Sequence, residues 1–465
     1  MGLIKPAASD FRSNHVTIES KPFYTNVTML ALPIALQSFI ASSLNLVDNL
    51  MVGSLGETEL ASVGIGVQLF MLFWSVLFGF TSGCNTFTAQ FWGVRDLAHI
   101  RQVIGFALTL SLSAGILFFV AAAFFAEGFV GLFTDDPKAA ALAVQYIHIG
   151  SPVFLLLGMS IPFESALRAI QQPQIPLYIS IVAFSTNTFL NYILIFGKFG
   201  APEMGVAGAA LATLIARSLE LLLVIYAVFV RRHILAGPLK DFFRWEGKLA
   251  ARVLKNSMPT TINETAWGLG MASCNMAYAQ AGITAYAAVR ASNTIFELFI
   301  MFAFSLGDAT LIILGERLGR GERDYAIAAS KKLIRMALTV GLVSGLILIL
   351  AGHSILGLFE FTPEGRAFAF KILVVYGCTM WIDLYSGLHI VGVLRAGGDT
   401  KFAMLTEVGS IWLIAVPMAF IATSVWHLPI YVVMLLVRIE SVVKSIVVTA
   451  RWFSCKWANT VIKGL

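Results

Sequence analysis

Three carboxylates stand inside long apolar stretches of this sequence: Asp48 in SLNLVDNLM, Glu264 in PTTINETAW and Asp383 in TMWIDLYS. An ionised carboxylate in hydrocarbon costs at least ~2.5–3.5 kcal/mol at the midplane, so one persists there only if it is paired, wet or used. The chemistry open to such a group is reversible uptake of a proton or a cation. Asp383 is the most deeply placed, with Trp381 and Tyr385 close by and no basic residue within one turn. Asp48 lies near the outer end of its stretch, where it is either a functional acid or an interfacial one that is simply wet. Pro33, about four turns earlier, removes a backbone hydrogen bond and lets that segment bend. Glu264 falls about one turn into its own stretch, and Glu264 and Asp383 could face one cavity.

Asn187 and Asn191 are four apart and share a helix face. Two amides there complete an ion site with Asp48 or bond neighbouring helices, and the residues alone favour neither. Asp308 is a secondary candidate; with Glu297 and Glu316 it has no local basic partner. Other buried-looking acids do: Glu164 with Arg168 and Glu440 with Lys444 at four residues, Arg217 with Glu220 at three. No GxxxxGK[ST], HExxH or GxSxG occurs, so neither ATP hydrolysis nor a familiar nucleophile-and-base pairing is expected, and the chain reads as no enzyme. The four cysteines are far apart with no CxxC pair, which excludes a disulfide framework or zinc site and leaves small apolar fillers.

The elements that position these groups follow from composition. Of 465 residues 58% are hydrophobic and 12% charged, about half the charge a soluble surface needs, so lipid must cover the rest. Apolar stretches long enough to cross hydrocarbon recur at 27–51, 60–87, 103–125, 139–162, 175–196 and 205–230, then at 259–281, 289–314, 336–356, 368–393, 402–425 and 429–453. These are read as about twelve transmembrane helices, all-α, in two parallel six-helix lobes around a central cavity. The lobes are residues 27–230 and 256–453, with segments 1–26 and 454–465 and a connecting loop 231–255 in the cytoplasm. Lys and Arg gather on one side of that arrangement, including Arg168, the run from Arg231 to Lys255, Arg317, Arg320, Arg395 and Lys444. The positive-inside rule then puts both termini in the cytoplasm and the chain in the plasma membrane. The net charge of +6 is a topology signal and needs no nucleic acid to explain it.

The two halves resemble each other. Pro33 and Pro259, Gly56 and Gly282, and Gly93 and Gly319 are each 226 apart; Leu132-Phe133 matches Leu358-Phe359, and Leu167-Arg168-Ala169 recurs 227 later as Leu394-Arg395-Ala396. One offset held over more than a hundred residues indicates parallel repeats, whose lobes rock about a shared pathway.

ALP at 31–33 followed by VDNLMVGSLG at 47–56 resembles the opening of multidrug and toxic compound extrusion (MATE) family transporters. LRA with a downstream proline at 167–176, GVAGAALAT at 205–213 and LRAGGDT at 394–400 are similar too. The resemblance implies efflux of organic, often cationic compounds driven by Na+ or H+ entry, with no other cofactor. By motif it implies an N-lobe cation or proton site at Asp48, Asn187, Asn191 and Thr213, and a second at Glu264 and Asp383, so Na+ could sit at any of the three acids. Some members carry aspartate where Asn191 stands, and a tyrosine one turn before the C-lobe aspartate is Thr379 here. Phe39, Trp267 and Tyr385 could line the cavity and attract cationic rings. The expected partners are a small organic substrate and membrane lipid, with the chain acting as a monomer. A lipid-linked precursor flippase of the same superfamily, or a membrane-embedded enzyme, remains the alternative.

Overall fold

The computed structural model describes residues 18–357 and 361–465, with the side chains of residues 302 and 303 left aside. Lys5, Arg12 and the Leu358-Phe359 pair, which entered the topology and repeat readings, lie outside the described residues. Every expected span falls on a helical segment, and the twelve long segments are α1 (Ser20–Gly53), α2 (Glu57–Gly93), α3 (Leu97–Phe124), α4 (Pro137–Gly150 with Val153–Ala169), α5 (Gln174–Phe196), α6 (Val206–Val230), α7 (Gly247–Ala279), α8 (Ile283–Gly319), α9 (Arg323–Leu356), α10 (Pro363–Leu394), α11 (Thr400–Val425) and α12 (Ile430–Val437 with Ile439–Phe453). Among the described residues nine of these are long and apolar enough to cross a membrane, and α4, bent by 47° at its break, makes a tenth. α7 and α12 fall outside that count. α7 carries Asn256, Asn263 and Glu264, and α12 is interrupted at Arg438 and carries Glu440 and Lys444. Of these, Asn263, Glu264, Arg438, Glu440 and Lys444 make polar contacts with other helices of the same unit or with one another.

By packing the chain divides into two compact units. The C-unit comprises the described residues as far as Ala35, then Ala89–Arg95 and Met258–Leu465; the N-unit comprises Leu36–Thr88 and Asp96–Ser257. The division falls inside α1 two residues after Pro33, where the backbone ladder is already interrupted. The first part of α1 buries a stripe of Phe23, Val27, Leu30 and Ile34, spaced four, three and four, in the C-unit core with Leu306, Ile313 and Ile334. Lys332 Nζ donates to the Ile18 carbonyl at 2.7 Å and to Ser20 Oγ at 2.8 Å and holds the start of the helix. The segment after α12 is folded back on the same unit: Trp457 is fully buried, and Val461 N donates to Gln90 Oε1 at 2.8 Å.

The repeat seen in the sequence extends to the backbone. Gly56 and Gly282, 226 apart, both turn with positive φ (152° and 101°), as do Arg95 and Gly321 (59° and 77°) and, 227 apart, Gln171 and Gly398 (66° and 73°). Equivalent helix crossings also match. A Cβ on Gly115 of α3 would meet Phe154 and Leu155 of α4, and one on Gly341 of α9 would meet Trp381 of α10. Four residues on, Gly345 lies against the Gly377 carbonyl, so α9 and α10 approach through small residues as close-packed membrane helices do.

Gly345→Ala forces a methyl into the Gly377 backbone and is expected to destabilise the detergent-solubilised protein by roughly 1–3 kcal/mol, as overpacking does. Gly409→Ala on α11, where an added Cβ meets nothing within 4 Å, is expected to leave the unfolding midpoint unchanged or slightly raised. Equal midpoints for the two variants would contradict the crossing.

Candidate functional site

In the N-unit, α1, α5 and α6 bring Asp48, Asn187, Asn191 and Thr213 together. The two asparagines, one turn apart on α5, are fully buried. Asn191 Nδ2 donates to Asp48 Oδ1 at 2.5 Å and to Asn187 Oδ1 at 3.0 Å, and Asn187 Nδ2 donates to Thr213 Oγ1 at 3.3 Å. Both hydrogens of the Asn191 amide are thereby spent, and its Oδ1 is left buried with no hydrogen-bond partner beside the carboxylate. Among the described residues Asp48 has no basic side chain within ion-pair distance. An orphaned amide oxygen next to an unpaired carboxylate is a hard oxygen donor set of the kind that suits a small cation or a proton.

A cavity of about 30 Å³ adjoins this cluster between Leu44, Asn187, Thr213, Arg217 and Glu220, enough for a water, which needs about 10–15 Å³. On its far side Arg217 donates to Glu220 at 2.6 Å. Beyond it Gln37 Nε2 donates to Glu164 Oε2 at 3.0 Å and to Ser180 Oγ at 3.1 Å, while its Oε1 accepts from Arg168 at 3.1 Å. Glu164 and Arg168 therefore meet through Gln37, where sequence spacing suggested a direct pair. The N-unit site thus gathers three acids (Asp48, Glu164, Glu220) and two bases (Arg168, Arg217); Glu220 is paired with Arg217, and among the described residues neither Asp48 nor Glu164 forms an ion pair.

The C-unit encloses a larger network. Arg395 at the end of α10, fully buried, donates to Glu264 of α7 at 2.5 Å. Asp383 accepts from Arg438 at 2.9 Å and from Ser441 at 2.8 Å, one on each carboxylate oxygen. Between these pairs Asn263 donates to Glu407 at 3.2 Å, and Lys444 reaches Glu407 at 3.2 Å and Glu440 at 2.9 Å. Ser441 Oγ also lies 3.1 Å from Glu440 Oε2, so its one hydrogen serves either carboxylate, and polar contacts run from Arg395 to Arg438. Four acids (Glu264, Asp383, Glu407, Glu440) face three bases (Arg395, Arg438, Lys444), again with one carboxylate in excess.

Several residues differ from the sequence reading. Asp383 has a basic partner, but it comes from another helix, 55 residues away, where a one-turn search cannot see it. Arg395 and Lys444, read as cytoplasmic topology charges, are buried members of the network. Glu316, read as without a local partner, pairs with Arg320 one turn on. Thr379 turns its hydroxyl to its own helix, bonding the Val375 carbonyl at 2.9 Å. Tyr376, two turns before Asp383 on the same face, lies with its ring under Arg438 (4.7 Å to the centroid). Tyr385 bonds Thr449 Oγ1 at 2.5 Å and ties α10 to α12. Asp308 is half-buried on α8, and Phe39 and Trp267 stay exposed.

Gln37 and Glu407 were missed entirely, and the repeat could have found them. Arg168 and Arg395, Ser180 and Glu407, Thr213 and Glu440, and Arg217 and Lys444 are all 227 apart, while at the offset of 226 that holds from Pro33 to Gly93, Gln37 answers to Asn263, and Gln37 donates to Ser180 as Asn263 donates to Glu407. Arg168 binds Gln37 as Arg395 binds Glu264.

The chain matches known proteins over most of its length. The MatE family model matches residues 33–193 and again 259–421, one copy in each half and well over half of the chain together. A probable multidrug resistance protein of Bacillus subtilis, YoeA, is 26% identical over 422 residues, covering 89% of this chain and 90% of its own. A probable multidrug resistance protein NorM of Thermotoga maritima is 24% identical over 86% of this chain and 85% of its own. A crystal structure of MATE in complex with MaL6 superposes with a TM-score of 0.84 at 19% identity, over 93% of this chain and 96% of that one. A MOP superfamily transporter from Pyrococcus furiosus also superposes at 0.84, with 18% identity. Two matches to the family model, one in each half and together well over half of the chain, make the chain a member of the MatE family of membrane transporters.

Proposed function

We propose that the protein is a cation-coupled antiporter, driven by Na+ or H+, that exports organic cationic or amphipathic compounds by alternating access, and that the driving ion acts at Asp48. The relatives named as multidrug resistance proteins support the export reading. The observation that carries the coupling reading is the setting of Asp48: a carboxylate on a proline-containing helix, bonded by an amide, beside an orphaned amide oxygen and without a base.

With Asp48 ionised, the N-unit network carries one uncompensated negative charge; an ion arriving from outside returns it to neutrality. A proton or Na+ on Asp48 also competes with the Asn191 N–H that links α1 to α5. Weakening that link changes the relative stability of two arrangements of α1, whose ladder Pro33 has already opened. The membrane potential contributes ~2.3 kcal/mol per charge per 100 mV to inward ion movement. In the C-unit, Arg395 and Arg438 act as tethered cations on Glu264 and Asp383, and the extra negative charge falls to Glu407 and Glu440 around Lys444. That trio is a second place for a proton or Na+. The chain works as a plasma-membrane monomer with both termini in the cytoplasm, its lobes being 27–230 and 256–453 joined by the loop 231–255.

In reconstituted vesicles loaded with ethidium, Asp48→Asn is expected to lower gradient-driven efflux at least tenfold while leaving the unfolding midpoint near that of the native chain. The gradient that works, Na+ or pH, names the ion, and native rates in the variant would remove Asp48 from the mechanism. Arg395→Met is expected to act on stability instead, because it leaves Glu264 buried and uncompensated, at about 3–5 kcal/mol. Adding Glu264→Gln should recover most of that loss in a denaturation series; no recovery would contradict the pair.

A further inference from the structure

Between α3, α4 and α6 the N-unit holds a cavity of about 480 Å³ that no part of the proposed transport mechanism uses. Its walls include Leu112, Ile116, Met159, Leu221 and Phe229, and the short helix Leu239–Phe243 closes one end. The lining is apolar almost throughout. Of its two hydroxyls, Thr109 spends its own on the Gly105 carbonyl at 3.0 Å, which leaves Ser113 as the one hydroxyl facing a ligand there.

The short helix is fixed on one side and open on the other. Phe242 is buried against Phe163 and Phe229, with ring centroids 6.0 Å away in each case, and its carbonyl lies where a Cβ on Gly105 would be. Leu239 and Phe243, one turn apart, are 71% and 54% exposed at the mouth of the groove. Cations surround that mouth. Arg231, Arg232, Lys240 and Arg244 are exposed, and among the described residues none of them forms an ion pair. Of the two acids in the same stretch, Asp241 is engaged by Arg101 at 3.6 Å, which leaves Glu246 against four cations.

We propose that this groove binds one anionic phospholipid, an acyl chain lying between α3, α4 and α6 and the phosphate meeting Lys240 and Arg244. An apolar slot that ends in an exposed apolar turn and a cluster of unpaired cations matches a molecule with an alkyl tail and an anionic head. The cations belong to the connecting loop that the positive-inside rule places in the cytoplasm, where anionic lipid headgroups attract basic segments beside the membrane. The site depends on the chain spanning a membrane and not on the coupling reading, so it stands or falls separately from Asp48.

The test is native mass spectrometry of the full chain in detergent, titrated with phosphatidylglycerol or with phosphatidylcholine of the same acyl composition. The native protein is expected to retain one phosphatidylglycerol at least tenfold more readily than phosphatidylcholine. Lys240→Ala with Arg244→Ala, both exposed and unpaired, should fold normally and abolish that preference. Leu112→Trp, which fills the slot, should lower retention of both lipids. Equal retention of the two lipids by the native chain would overturn the proposal, as would an undiminished preference in the double variant. Should Leu112→Trp fail to fold, the double variant alone decides.

Discussion

The structure is governed by the cost of holding charge inside apolar helices. A buried ion pair gains little net stability, because desolvation offsets the attraction, but an unpaired partner is expensive. The acids of the two networks are therefore tied to a base or to hydrogen-bond donors, through Gln37 in the N-unit and through Asn263, Lys444 and Ser441 in the C-unit. In both units that accounting stops one cation short. The shortfall sits at a defined place, on Asp48 in one and around Lys444 in the other, and a charge deficit at a fixed place is what an ion from outside can fill.

The two halves use one framework for different chemistry. At each pair of repeat positions the helix and the direction are kept while the side chain changes: Gln37 becomes Asn263, Ser180 becomes Glu407, Thr213 becomes Glu440, Arg217 becomes Lys444. The arginine of the LRA motif is unchanged, and it bonds α1 through Gln37 in one unit and α7 through Glu264, one residue further along the repeat, in the other. The outcome is an amide-rich site in one unit and a salt-bridge network in the other. The first is suited to admitting a cation and the second to supplying its own.

The fold was largely legible in the sequence, because lipid imposes a length and a composition on each helix and the repeat imposes a count. Two helices were legible from their apolar parts, 259–281 and 429–453, although α7 and α12 as whole helices are too polar or too interrupted to pass as spans alone. The spacing of Asn187 and Asn191 showed only that they share a helix face; the family resemblance grouped them with Asp48 and Thr213. The partners of Glu264 and Asp383 were hidden because they arrive from helices 131 and 55 residues away. Arg395 and Lys444 were misread for a related reason: near a helix end, a buried base and a cytoplasmic one have the same sequence signature.

The central claim is that ion occupancy of Asp48 and substrate binding are thermodynamically linked, and linkage is reciprocal. The direct measurement is ethidium affinity of the purified protein by calorimetry across a series of pH and Na+ concentrations, for the native chain and Asp48→Asn. The account predicts that raising the concentration of the driving ion weakens ethidium binding to the native protein with a slope near one ion per ethidium, and that the slope vanishes in Asp48→Asn. A variant that keeps the native slope would contradict it.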